Sequence, residues 1–204
     1  DKTKVINATW AYKNKTGDTG ELNKRKARLA TADIKGLKRH EDEDFQSSFS
    51  SGMSMTSFRC VVALAAYYGY PVYQLDFTGA YLQKPVPADK KIYVRCAPGY
   101  VEYMRDKSGD RVEAVKELGK YMYGLQEAGA EWMAYLADYL KNDCRFTQSW
   151  VDPNVYYRDV PEGRVIVGVY VDDLIIVAPN KATAMALEAV LAKQFVFEAG
   201  ELAH

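Results

Sequence analysis

The run Arg164-Val165-Ile166-Val167-Gly168-Val169-Tyr170-Val171-Asp172-Asp173-Leu174-Ile175-Ile176-Val177 decides how this chain is read. Two apolar stretches rich in β-branched residues flank one pair of aspartates, so residues 164–177 read as strands joined at Asp172-Asp173. With apolar residues in place of the pair, the run would be an ordinary core hairpin. Two adjacent carboxylates between apolar strands repel each other and carry a heavy desolvation cost unless a cation sits with them. The competing reading is a plain turn, because Asp is common in turns. A plain turn accounts for one aspartate, but less well for the absence of a Gly or Asn to supply a positive φ. The pair is therefore expected to hold metal. Mg²⁺ takes oxygen ligands in octahedral geometry and keeps water and substrate phosphates, so a turn with two carboxylates calls for a third on a neighbouring strand.

Asp76 is the candidate for that third ligand. Pro71 starts a strand over Val72–Phe77, in which Tyr73, Leu75 and Phe77 share one face and Val72, Gln74 and Asp76 the other. Asp76 thus ends the strand on the face away from Leu75 and Phe77 and need not enter the core. A strand-end aspartate facing solvent is the alternative. Before this strand, Ser54 or Thr56 can cap a buried helix with Phe58, Val61, Val62 and Ala65 at helical spacing, ended by Gly69. Residues 10–30 read as a hairpin, with turn chemistry at Thr16 to Gly20 and a basic return strand at Lys24–Leu29. Residues 35–52 read as a polar loop, and 92–118 as short strands around a turn at Asp106–Asp110. An amphipathic helix is expected from Glu127 to about Lys141, with Trp132, Tyr135, Leu136, Tyr139 and Leu140 as its stripe. Residues 155–158 read as a strand and Lys181–Phe195 as a last helix. The order argues for an α+β fold with helices on one face of an antiparallel sheet and the other face open to a ligand.

Composition narrows the function classes. The three cysteines, Cys60, Cys96 and Cys144, make no C-x-x-C pair, which argues against a disulfide framework or a zinc site and fits a reduced, intracellular setting. Of the two histidines, His40 lies beside an acidic run and His204 is the last residue, so histidine general-base chemistry and a His-ligated metal are poor expectations. No apolar run reaches the span of a membrane helix. The net charge is zero, yet residues 1–39 carry eleven Lys and Arg against four Asp and Glu. A basic arm beside an acidic body suits a protein that holds polyphosphate or nucleic acid at one end and divalent metal at the other; an unevenly charged solvated surface is the plainer account.

Tyr170-Val171-Asp172-Asp173 resembles the active-site turn of reverse transcriptases, most closely those of copia-type retrotransposons. Further blocks in the same order carry the resemblance: Lys24–Leu29, Asp44–Phe49 with the helix from Met55 to Ala66, Gln74–Leu82, Tyr121–Leu125 with Ala128 and Trp132, and Asp152–Tyr156. The resemblance implies a right-handed polymerase fingers–palm fold, with a basic fingers hairpin and loop over 1–52 and a palm over 53–204 interleaved with fingers segments at about 85–130. Thumb, RNase H and integrase segments are expected elsewhere in a Pol polyprotein. The implied activity is RNA-directed DNA polymerisation, the transfer of dNMP to a primer 3′-hydroxyl on an RNA or DNA template.

The resemblance also implies the roles. Asp76, Asp172 and Asp173, with the Phe77 carbonyl, would hold two Mg²⁺ ions, Mn²⁺ being a possible substitute. Lys26 or Arg28 would grip the triphosphate, and which of them does so is open. Tyr81 would exclude the ribose 2′-hydroxyl; packing under the sheet is its other reading. Tyr123 and Gly124 would lie beside the nucleotide, and Gln126, Tyr170 and Val171 beside template and primer. No membrane partner is implied, and the setting would be cytoplasmic, in a virus-like particle, or nuclear. The family's Lys-Gln and Pro-Arg are Gln126-Glu127 and Gly129-Ala130 here, which removes positive charge from a template-facing segment. That departure keeps open a second reading, a catalytically inactive remnant that retains the fold and binds nucleic acid weakly. An RNA-synthesising palm polymerase is a third, against which Tyr81 speaks.

Overall fold

The computed structural model describes residues 5–17, 19–31, 52–97 and 115–202. In chain order the elements are β1 (Val5–Thr16), β2 (Leu22–Thr31), α1 (Met55–Tyr68), β3 (Val72–Phe77), a 3-10 turn (Ala80–Gln83), β4 (Tyr93–Arg95), β5 (Val115–Glu117), α2 (Ala128–Asn142), β6 (Thr147–Gln148), β7 (Val155–Val160), β8 (Gly163–Tyr170), β9 (Asp173–Val177), α3 (Lys181–Leu191) and β10 (Phe197–Leu202). The loop expected at 35–52, Gly52 apart, the Asp44–Phe49 block and the turn Asp106–Asp110 lie outside the described residues. The chain divides into two compact units, Asp1–Gln46 with Lys84–Ala128, and Ser47–Gln83 with Gly129–His204.

The first unit is built on a four-stranded sheet in the order β2-β1-β4-β5. The β1–β2 hairpin pairs Ala11 with Arg28, Lys13 with Lys26 and Lys15 with Lys24. Directly opposed residues share a face, so Lys13, Lys15, Lys24, Lys26 and Arg28 form one cationic face. Like charges directly opposite each other weaken a sheet, so this face costs stability. Trp10 and Tyr12 stack at 6.3 Å on the other side.

The second unit holds a six-stranded antiparallel sheet in the order β10-β3-β9-β8-β7-β6. Tyr73, Leu75 and Phe77 of β3, Leu174 and Ile176 of β9 and Val165, Val167 and Val169 of β8 face one core. Trp132, Leu136 and Leu140 of α2 and Ala184, Leu187 and Leu191 of α3 close it. On the opposite face Ile166, Ile175 and Val177 pack against Met53 and against Val61 and Ala65 of α1. Helices therefore cover both faces, which corrects the expectation of helices on one face and an open second face. The reason lies in β8, whose unbroken apolar run Val165–Val169 is buried on both sides, as a strand without polar alternation must be. At the Asp end of the second face, Asp76 and Glu198 stay exposed.

Helix α1 is capped as its sequence suggests. The Ser54 hydroxyl accepts from the Ser57 N–H at 3.1 Å, and Gly69 ends the helix at φ 65°. It is not buried all round, since Phe58 and Val62 are each 39% exposed. Helix α3 stops at Leu191, before Phe195, which is buried beyond the helix end. Strand β10 escaped the sequence reading: Phe-Glu-Ala-Gly-Glu-Leu has neither β-branched residues nor clear alternation, and becomes a strand by pairing with β3. No helix among the described residues is long and apolar enough to cross a membrane.

Candidate active site

The turn between β8 and β9 is two residues long, because Tyr170 pairs with Asp173. Its positive φ falls on Val171, at 57°. A positive φ at the first turn position only is the type II′ sense, which suits the twist of a hairpin. A β-branched residue there is strained by about 1–3 kcal/mol. The turn is held from two sides. The Phe77 N–H donates to the Asp172 carbonyl at 2.7 Å, and the Trp132 Nε1–H donates to the Val171 carbonyl at 2.8 Å. Trp132 is fully buried and meets Phe77 edge-on at 5.2 Å between ring centroids.

The strand register lines up four side chains on the accessible face. Glu198 pairs with Asp76, Asp76 with Asp173, and Asp173 with Tyr170. Paired residues have Cβ atoms about 4.5–5.5 Å apart, so three carboxylates stand in one row, and Asp172 precedes Asp173 in the turn. Asp76 and Glu198 are exposed, and Asp172 and Asp173 half-buried. The Gln74 amide, on the same face of β3, donates to Asp173 Oδ1 at 2.9 Å. Among the described residues no three His, Cys, Asp or Glu side chains are drawn together tightly enough to hold an ion. The donor set nonetheless fits a hard cation: it is all carboxylate oxygen, it is accessible, and its backbones are fixed by adjacent strands. Phe77, whose carbonyl the resemblance makes a further ligand, is the last residue of β3.

In the first unit the Arg28 guanidinium lies over the Tyr123 ring, 5.0 Å from its centroid. The Thr31 N–H donates to the Tyr123 carbonyl at 2.8 Å, which ties the end of β2 to the Tyr123-Gly124 segment. Gly124 has φ 91°, and a Cβ there would stand 2.5 Å from the Thr31 carbonyl oxygen. Arg28, Tyr123 and Gly124 are thus brought together, and Lys26 shares the strand face of Arg28 two residues away. Gln126 is exposed. In the second unit Tyr170 is 59% exposed, and Tyr81 is half-buried against the larger core.

A family model described as reverse transcriptase (RNA-dependent DNA polymerase) matches residues 1–203. The chain belongs to the reverse transcriptase family. It is 29% identical over 191 residues, 93% of its length, to the retrovirus-related Pol polyprotein from transposon TNT 1-94 of Nicotiana tabacum. It is 32% identical over 172 residues, 84% of its length, to the retrovirus-related Pol polyprotein from transposon RE1 of Arabidopsis thaliana, and 31% identical over 172 residues to that from RE2 of the same plant. The chain spans only 14% of the tobacco polyprotein and 11% of RE1.

Within the reverse transcriptase family, the chain softens one of its own departures. Glu127, an acidic residue that follows Gln126, pairs with Lys90 at 3.2 Å. Burial alone would lower the Lys90 pKa, but the Glu127 carboxylate and the Tyr121 hydroxyl outweigh it and raise it. The extra negative charge is thus locally balanced. Sequence reasoning took Trp132 only as a stripe and block residue and gave Gln74 and Glu198 no role. Gln74 was visible as a polar residue two positions from Asp76 on the same face. Glu198 was not, because its place depends on a strand the sequence did not announce.

Proposed function

We propose that this chain is the fingers and palm of a retrotransposon reverse transcriptase, with the second unit as palm and the first as fingers, and that it adds dNMP to a primer 3′-hydroxyl. The observation that carries the reading is the pairing of Asp76 with Asp173 beside the Asp172 turn, in a chain of this family. Asp76, Asp172, Asp173 and the Phe77 carbonyl are the ligands. Bound there, two Mg²⁺ or Mn²⁺ ions supply the Lewis acidity that lowers the pKa of the primer hydroxyl and offset charge on the leaving pyrophosphate. The rest is positioning. Lys26 or Arg28 pairs with the triphosphate, Arg28 being the one that lies over the Tyr123 ring. Tyr123 and Gly124 line the nucleotide, and Tyr81 bars a ribose 2′-hydroxyl. Gln126, Tyr170 and Val171 face template and primer. Neutralising phosphates with the cationic hairpin face makes binding strongly salt-dependent.

The test is primer extension on an RNA template, in the polymerase that contains this chain. Asp172→Asn keeps the size and packing of the side chain but removes a charged ligand. Extension with Mg²⁺ is expected to fall by at least about 10³-fold, about 4 kcal/mol of transition-state stabilisation. Extension by the variant at the wild-type rate would overturn the assignment.

A further inference from the structure

We infer that Trp132 is a positioning residue for the carboxylate turn, acting through its indole N–H rather than through bulk alone. The inference rests on the functional reading above. Val171 occupies a left-handed conformation that a β-branched side chain disfavours, so the turn has a less strained alternative unless its neighbours hold it. Its own carbonyl is where it is held, by the Trp132 Nε1–H at 2.8 Å. The donor cannot swing away. The Trp132 side chain is fully buried, with ring contacts to Phe77 at 5.2 Å and Phe195 at 5.5 Å. Phe77 in turn fixes the next residue, because its N–H donates to the Asp172 carbonyl at 2.7 Å. One rigid indole thus touches both sides of the site, the end of β3 through the Phe77 ring and the turn through Val171. Replacing the indole by a phenyl ring keeps an aromatic group in the core, at the cost of a small cavity, and frees the turn to relax, which moves the carboxylates of Asp172 and Asp173 relative to Asp76. A misplacement of this kind weakens whatever the three hold together.

The experiment uses Mn²⁺ titration of the full chain, followed by electron paramagnetic resonance, with Trp132→Phe, Val171→Gly, the double variant and Asp172→Asn. Trp132→Phe is expected to remain folded and to bind Mn²⁺ about tenfold more weakly. Val171→Gly is expected to restore most of that loss in the double variant, because glycine takes the positive φ without strain and no longer needs the clamp. In the wild type, the Trp132 indole N–H is expected to exchange slowly with deuterium. Wild-type affinity in Trp132→Phe, a loss that Val171→Gly does not relieve, or fast exchange of the indole would each overturn the inference. Mn²⁺ binding that Asp172→Asn leaves unchanged is a different result, which overturns the carboxylate assignment on which the inference stands.

Discussion

Gly124→Ala separates two costs that usually arrive together. The substitution adds one methyl group at a residue with φ 91°, a backbone that disfavours any L side chain by about 1–2 kcal/mol. The methyl would stand 2.5 Å from the Thr31 carbonyl oxygen and 2.7 Å from its Oγ1. Thr31 cannot retreat freely, since it is fully buried and its N–H donates to the carbonyl of Tyr123, the residue before the glycine. Opening that hydrogen bond inside the protein adds about 1–1.5 kcal/mol, so the total is about 3 kcal/mol. Gly20→Ala is the internal control, because Gly20 has φ 86° with no heavy atom within 4 Å of its Cβ position. It carries the backbone cost alone, about 1–2 kcal/mol. Urea denaturation of the two variants, with amide exchange across β1 and β2 as the local probe, measures the difference. Equal losses in the two variants would refute the close approach of Thr31 to Gly124.

Three further outcomes follow from single side chains. Tyr81→Ala is expected to admit ribonucleotides about 10²-fold more readily, since a direct clash is worth a few kcal/mol; unchanged sugar discrimination in single-nucleotide extension would mean the ring only packs. Asp152 accepts from the Ser54 N–H and the Asn154 N–H, each at 2.9 Å. Burial alone would raise its pKa, but hydrogen bonds from Ser57, Ser54 and Asn154 hold it below the ordinary 3.8. Its stability contribution is therefore complete above the unfolded value of 3.8 and lost as pH falls through the lower folded one, and Asp152→Asn, about 1–2 kcal/mol less stable at neutral pH, should flatten that acid limb in thermal melts. Burial pushes the Cys144 thiol up to about 11, so in the native chain iodoacetamide should label the exposed Cys60 and leave Cys144 untouched, as mass spectrometry of the digested protein can verify.

What the sequence disclosed depended on how local its cause was. The faces of β3 followed from period-two alternation, and the ends of α1 from Ser54 and Gly69, because each is settled by neighbours along the chain. The hairpin around Asp172 was legible for the same reason, and so was the difficulty that Val171 resolves by accepting a positive φ. The cover on the second sheet face was not, although the apolar run Val165–Val169 contained the hint. Its partners Val61 and Ala65 are about a hundred positions away, and an amphipathic helix does not say which sheet face it will meet. Glu198 and Gln74 entered the site through cross-strand register, a long-range quantity that no single segment encodes.

The strand order also sets when the site can come into being. Strands β8 and β9 are joined by two residues and close as a hairpin in microseconds, bringing Asp172 and Asp173 into place early. Asp76 reaches them only when β3 pairs with β9, across almost a hundred residues that include the whole Lys84–Ala128 segment of the other unit. The entropy of closing so long a loop is met before the contacts it allows are gained, so this pairing is slow and belongs to the late, cooperative part of folding. A carboxylate on β3 and two on a fast hairpin therefore make a folding clock. In a stopped-flow experiment, competence to bind Mn²⁺ would appear with the last kinetic phase, while the turn that carries two of its proposed ligands formed in the first.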